Sequence, residues 1–228
     1  MTVASETPLP LAEGDWFEKL RQHSRTLTIS GVAAAVLAIG IWLYVTSQRR
    51  KEVFAAQELT RARATAEAGN LPLAASDLAR IAERFRGTPA ADDALVTLSQ
   101  IRLIQGQVEP AITALQEFVR GRHPAHARAS AYGLLGGALE DQGKPREAAE
   151  AYRQAAALAP LDFLKAQYLL DAARASVAGG DTASARAAYA EVLQRFGELE
   201  QSAEARIRMA EVGGEVPATS ARPSRGAN

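Results

Sequence analysis

The chain has 228 residues, 26 basic and 26 acidic side chains, and no net charge at pH 7. The part beyond Lys51 is itself near neutral and shows no stripe of clustered Lys and Arg, so the sequence argues against a nucleic-acid partner. Cysteine is absent, which excludes disulfides and thiolate metal sites.

Residues 1–25 read as an N-terminal leader carrying Glu6, Glu13, Asp15 and Glu18. From Thr26 to Gln48 there is no charge, and Leu, Ile, Val and Ala dominate. As a helix this stretch would be about 34 Å long, enough for a hydrocarbon core. Trp42 and Tyr44 lie near its end, where aromatic rings favour the membrane interface. A cleaved signal peptide would have a short basic leader and a shorter apolar core. The reading is therefore a retained transmembrane helix over 26–48, which gives the bilayer as one partner. Arg49, Arg50 and Lys51 follow it and suit lipid headgroups.

Residues 49–212 carry a repeat. Gly69, Gly106, Gly143 and Gly180 stand 37 residues apart, each followed five residues later by Ala74, Ala111, Ala148 or Ala185. Nine residues after the glycines come Leu78, Leu115, Tyr152 and Tyr189, and Arg84-Phe85 recurs as Arg195-Phe196. A period in this range means stacked two-element units that cannot bury their apolar faces alone. Around Gly143, Tyr132, Leu135, Ala138 and Leu139 form one helical stripe, and Ala148, Ala151, Tyr152 and Ala155 form another. Glycine permits the left-handed backbone that ends the first helix, Pro145 fits the first turn of the second, and Pro160 stops it. Each unit is an antiparallel helical hairpin.

Four units are expected, at about 55–87, 92–124, 129–160 and 166–197. In the first, a helix with Phe54, Leu59, Ala62 and Ala66 facing inward fits best. Residues 202–212 supply a capping helix with Ala203, Ile207 and Ala210 as its apolar face. Residues 213–228 read as a disordered tail.

Tyr132, Leu135, Gly136, Leu139, Gly143, Ala148, Tyr152, Ala155 and Pro160 match, in order, the signature of the tetratricopeptide repeat. The other units resemble it more loosely. The resemblance implies an all-α fold: a transmembrane helix followed by a right-handed solenoid of about four such repeats plus a cap. The interval exceeds the family's usual 34 residues by three, which the sequence places in the turns between hairpins. Residues 14–60 also resemble a membrane-anchored periplasmic family that includes the ancillary subunit of the SecYEG translocon. The likeness rests on Asp15-Trp16-Phe17, Gly31, Gly40 and Trp42, with a helix leading into repeats. It implies an inner-membrane protein with periplasmic repeats, partnered by the Sec translocon, periplasmic chaperones or client chains. Charge alone leans the other way, because the basic run after the span favours the cytoplasmic side.

No catalytic constellation stands out, and neither a cofactor nor a metal is expected. His123 and His126 are separated by Pro124 in a turn and read as solvated loop residues. Asp92-Asp93 diverge on a helix and suit its N-terminus. The resemblance assigns the concave surface to the first helix of each hairpin. It implies a protein-binding groove lined by Asp93, Val96, Gln100, Leu103 and Ile104 in the second unit. The third contributes Ser130, Gly133, Gly137 and Glu140, and the fourth Gln167, Leu170, Arg174 and Val177. Gly136 suits close helix packing, whereas Gly133 and Gly137 suit either packing or a groove floor. The chain reads as a non-enzymatic adaptor, with an envelope scaffold or a cytoplasmic tethered scaffold as alternatives.

Overall fold

The computed structural model describes the backbone of residues 24–215 and the side chains from residue 35 to residue 215. Among them lie nine helices: α1 Ser24–Glu67, α2 Leu71–Arg84, α3 Pro89–Ile104, α4 Val108–Arg120, α5 Ala125–Asp141, α6 Pro145–Leu158, α7 Asp162–Ala178, α8 Thr182–Arg195 and α9 Gln201–Glu211. Two compact units divide the chain, Met1–Lys51 and Glu52–Asn228. The leader before residue 24 and the tail beyond residue 215 lie outside the described residues.

The periodic glycines end the first helix of every hairpin. Gly69, Gly106, Gly143 and Gly180 have φ of 87°, 75°, 71° and 78°, the left-handed region that only glycine enters without strain. At each, two reverse bonds satisfy the last carbonyls of the helix. Gly143 N–H donates to the Glu140 carbonyl (2.8 Å) and Lys144 N–H to that of Leu139 (2.9 Å). Gly213, φ 68°, ends α9 in the same way, with Gly213 bonding to Ala210 and Gly214 to Met209.

The second helices begin on short caps. Asn70 and Asp181 side chains accept from Leu73 N–H and Ser184 N–H, and Pro72 and Pro145 occupy first turns. Turns within hairpins are three residues long, and those between hairpins three to five. First helices α3, α5 and α7 run to 16, 17 and 17 residues, against 13 or 14 for the second helices. The first helix is thus the longer element of each of these hairpins, and the repeat interval also includes turns of three or four residues between them.

Packing follows the repeat register. Ala74, Ala111, Ala148 and Ala185 are all 0% exposed, and Leu78, Leu115, Tyr152 and Tyr189 are buried one turn later. Alanine allows the helices of a hairpin to approach, and the larger residue fills the space beside the contact. A β-carbon on Gly136 would lie 2.6 Å from the Tyr152 ring, so this crossing depends on glycine. The recurring Arg-Phe pairs close two second helices, with the Arg84 and Arg195 guanidiniums 5.4 and 5.2 Å from the Phe85 and Phe196 ring centres. Burial is organised in three apolar clusters, around α1–α3, α4–α6 and α7–α9.

Two helical faces differ from expectation. In the first hairpin α1 buries Ala55, Leu59 and Ala62, with Ala66 partly covered, while Phe54 is 60% exposed. The inward set follows i, i+4, i+7, i+11, and Phe54 stands about 100° off that stripe. In α9 the buried residues are Ser202, Ala205 and Met209; Ala203 and Ala210 are exposed and Ile207 is 63% exposed. Ser202 tolerates burial because its hydroxyl donates to the Gly197 carbonyl at 2.9 Å.

Within the first unit, Val36, Leu37, Ile39, Ile41, Trp42, Leu43, Tyr44 and Val45 of α1 are all exposed. At 100° per residue they surround the helix, so no single face is covered. Among the described residues, no helix is long and apolar enough to cross a membrane. Of the uncharged 26–48 stretch, only residues 35–48 have described side chains.

Candidate protein-binding surface

On the first-helix side α3 packs on α5, and α7 on the capping helix α9, while α6 packs against both α5 and α7. A cleft of about 490 Å³ opens on this face. Its walls are Asp93, Val96, Thr97 and Gln100 from α3 and Ala127, Ser130, Gly133 and Leu134 from α5, closed by Arg63 of α1 and Tyr168 of α7. Arg63 pairs with Asp93 at 3.4 Å across the rim. The floor therefore combines apolar contact with hydroxyl and amide groups, and the rim charge is balanced.

Asp93, Val96, Gln100, Ser130 and Gly133 come together in this cleft. Gln167 lines a separate cleft of about 580 Å³ with Ala203, Glu204 and Ile207 of α9. Leu103 packs against the α4–α6 core, and Ile104 and Val177 are exposed away from both clefts. Leu170 is 1% exposed in the α7–α9 core and offers no surface to a partner. It falls on the stripe with Ala166 and Ala173, which faces α8 instead of the open side.

The glycines of α5 separate by role. A β-carbon on Gly133 would meet the Tyr168 ring at 2.6 Å, so this position is packed by the next hairpin. At Gly137 the nearest atom would be the Tyr152 hydroxyl at 3.5 Å, an ordinary contact.

Gly137 lies beside a polar cluster. Tyr152 donates to Glu140 at 2.7 Å. Arg174 pairs with Asp171, which also accepts from Gln167 at 3.3 Å. Burial first, then the Glu140 bond and charge and the Asp171 charge, push the Tyr152 phenol far above its usual range, with Arg174 opposing. Tyr152 therefore remains a donor at any physiological pH. Partial burial works against the charge on Arg174, yet its bond to Asp171 and the Asp171 and Glu140 charges hold its pKa above the ordinary value.

Arg63, Thr97, Ala127, Leu134 and Tyr168 line the cleft outside the expected set. Tyr168 stands in the run Tyr168-Leu169-Leu170, whose residues read alike as core. His123 is also not a free loop residue. Its Nδ1 lies 2.9 Å from an Asp92 carboxylate oxygen, and its ring stacks on Phe118 at 3.9 Å. It thereby ties the α4–α5 turn to the first turn of α3, while His126 is exposed. Among the described residues, no group of three or more His, Asp or Glu could hold a metal ion.

The family model of the tetratricopeptide repeat-like domain matches residues 44–163, more than half of the chain, and a tetratricopeptide repeat model matches 167–198. The chain belongs to the tetratricopeptide repeat-like domain family. Comparison with curated proteins finds no match. Among solved structures, it is similar to a tetratricopeptide repeat protein from Parabacteroides merdae, at 14% identity and a TM-score of 0.56. That likeness covers 69% of this chain and 58% of the other. It is also similar to the nearly identical TPR-like repeats of a Podosopora anserina kinesin light chain, at 18% identity and a TM-score of 0.55, covering 69% and 84%. At such identities the likeness concerns the fold. Tetratricopeptide repeats generally mediate protein–protein interaction and are typically non-enzymatic scaffolds, which agrees with an adaptor.

Proposed function

We propose that this protein is a membrane-anchored, non-enzymatic adaptor whose first-helix face binds an extended protein segment. The cleft between α3 and α5 carries this reading. Val96, Leu134 and Tyr168 offer non-directional apolar contact, while Gln100, Ser130 and Thr97 offer hydrogen bonds to a partner's backbone. The anchor is residues 26–48, supported by the uncharged sequence and by apolar side chains exposed all round α1. The likeness of residues 14–60 to the translocon-associated family supports a periplasmic repeat domain that attends the Sec translocon and receives clients or chaperones there. A cytoplasmic scaffold is the second reading, favoured by Arg49, Arg50 and Lys51 immediately after the span.

Fusions after Val212 separate the two. Active alkaline phosphatase with a dark Sec-exported green fluorescent protein supports the periplasmic reading, and the reverse defeats it. Photo-crosslinkers at Val96 and Gln100 should capture partners, whereas controls at Glu150 and Arg186 on second helices should capture few. Equal capture from both faces would remove the groove assignment.

A further inference from the structure

The basic residues after the apolar part of α1 form a second feature of the same helix. Arg49, Arg50 and Lys51 are consecutive and exposed, and none makes an ion pair among the described residues. At 100° per residue they spread around much of the helix. Their height follows from helix geometry. Val45 is the last apolar residue before them, and Arg49 lies four residues further, about 6 Å along the axis. The polar layer on each side of a bilayer is about 5–7 Å thick, taken as half the difference between total and hydrocarbon thickness. With Val45 at the hydrocarbon edge, Arg49 and Arg50 stand at the level of the lipid phosphates, and Lys51, about 9 Å along, reaches back to them on its long side chain. Thr46, Ser47 and Gln48 span the intervening layer without charge.

We propose that Arg49, Arg50 and Lys51 form a collar that binds anionic phospholipid headgroups and enriches them around the helix. The inference rests on the anchor reading above. Three positive charges facing phosphates favour a lipid with net negative charge over a zwitterionic one, whose own cation opposes them. Spread over about 200° of the helix circumference, the cations fix its depth and select the lipid. Each cation near an anionic surface gives a preference of at most about fivefold, weakened by salt within a Debye length.

The test places the full chain in bilayers of phosphatidylcholine with a minority of phosphatidylglycerol. Trace spin-labelled forms of the two lipids report which is held against the protein. The wild-type chain should hold the phosphatidylglycerol probe several-fold more than the phosphatidylcholine probe, and high salt should reduce that ratio. The Arg49→Gln/Arg50→Gln/Lys51→Gln variant, whose glutamines preserve helix propensity, should stay in the bilayer with a ratio near one. An equal ratio for wild type and variant, with both resisting alkaline extraction, overturns the collar while leaving the anchor standing. Release of the wild type by alkaline extraction defeats the anchor itself. Loss of the preference on adding inorganic phosphate at low concentration, with ionic strength held constant, would assign the cations to a free anion and overturn the lipid proposal.

Discussion

Three glycines on α5, replaced one at a time by alanine, should give three different outcomes. In a helix interior this change adds about 1 kcal/mol by restricting the unfolded chain. At Gly137 nothing opposes it, because the new β-carbon would sit 3.5 Å from the Tyr152 hydroxyl. Gly137→Ala should raise the melting temperature by about 2–4 °C. At Gly136 the β-carbon would fall 2.6, 2.7 and 2.8 Å from three atoms of the Tyr152 ring. Overpacking of this kind costs about 1–3 kcal/mol, so Gly136→Ala should be neutral to about 2 kcal/mol destabilising. The corresponding pair in the fourth hairpin is Ala173 and Tyr189, so the fold accepts alanine beside tyrosine when the ring can adjust. In the third hairpin it cannot, because Tyr152 is held by its 2.7 Å bond to Glu140, whereas the position one repeat on from Glu140 is Val177. Gly136→Ala should accordingly cost less in a Tyr152→Phe background, a coupling that a double-mutant cycle would measure. At Gly133 the obstructing ring is Tyr168, on the wall of the cleft, and it can swing into that space. Gly133→Ala should change stability little and alter partner capture at Val96. Circular-dichroism melting of the full chain in detergent tests the series. A Gly136→Ala protein as stable as Gly137→Ala would refute the packing argument.

Other substitutions probe the hairpins at single contacts. Ala148 is 0% exposed where α5 meets α6, so Ala148→Leu should cost about 1–3 kcal/mol; an unchanged melting curve would contradict the register. Gly143 has φ 71° with open space around its α-carbon, and Gly143→Ala should cost about 1–2 kcal/mol through backbone strain alone. Asp181 caps α8, and its bonds to Ser184 hold its carboxyl below the ordinary value of 3.8. A depressed folded pKa stabilises fully above 3.8, and that contribution disappears as pH falls through the folded value. Asp181→Asn should therefore flatten the pH dependence of melting below about pH 4, and an unchanged profile would remove Asp181 from the acid response.

The hairpins were legible because their signals are chemically exclusive. A left-handed backbone at a fixed interval admits glycine almost alone, and a crossing between close helices admits alanine or glycine. Those requirements put Gly69, Gly106, Gly143 and Gly180 in register and buried the alanine five residues after each. The first half-helix and the cap were less legible because an inward stripe there can be built from several residue types. Phe54 and Ile207 attracted an apolar reading by size, yet α1 buries Ala55 and α9 buries a bonded Ser202 and Met209.

The binding face is harder to read for a related reason. A lining position is defined by what the neighbouring hairpin leaves uncovered, and no pattern within one helix carries that information. Leu170 and Arg174 are one turn apart on α7, yet Leu170 is enclosed by the core and Arg174 stands among Asp171, Glu140 and Tyr152. Tyr168 lies one position from the expected Gln167 and reaches across to α5 only because residue 133 is glycine. The residue that shapes the cleft is thus recognisable from a pair on two helices 35 positions apart. A substitution at Gly133 should therefore be felt at Tyr168 before it is felt in the stability of α5. That order follows because the side chain borders open space, whereas the helix backbone does not.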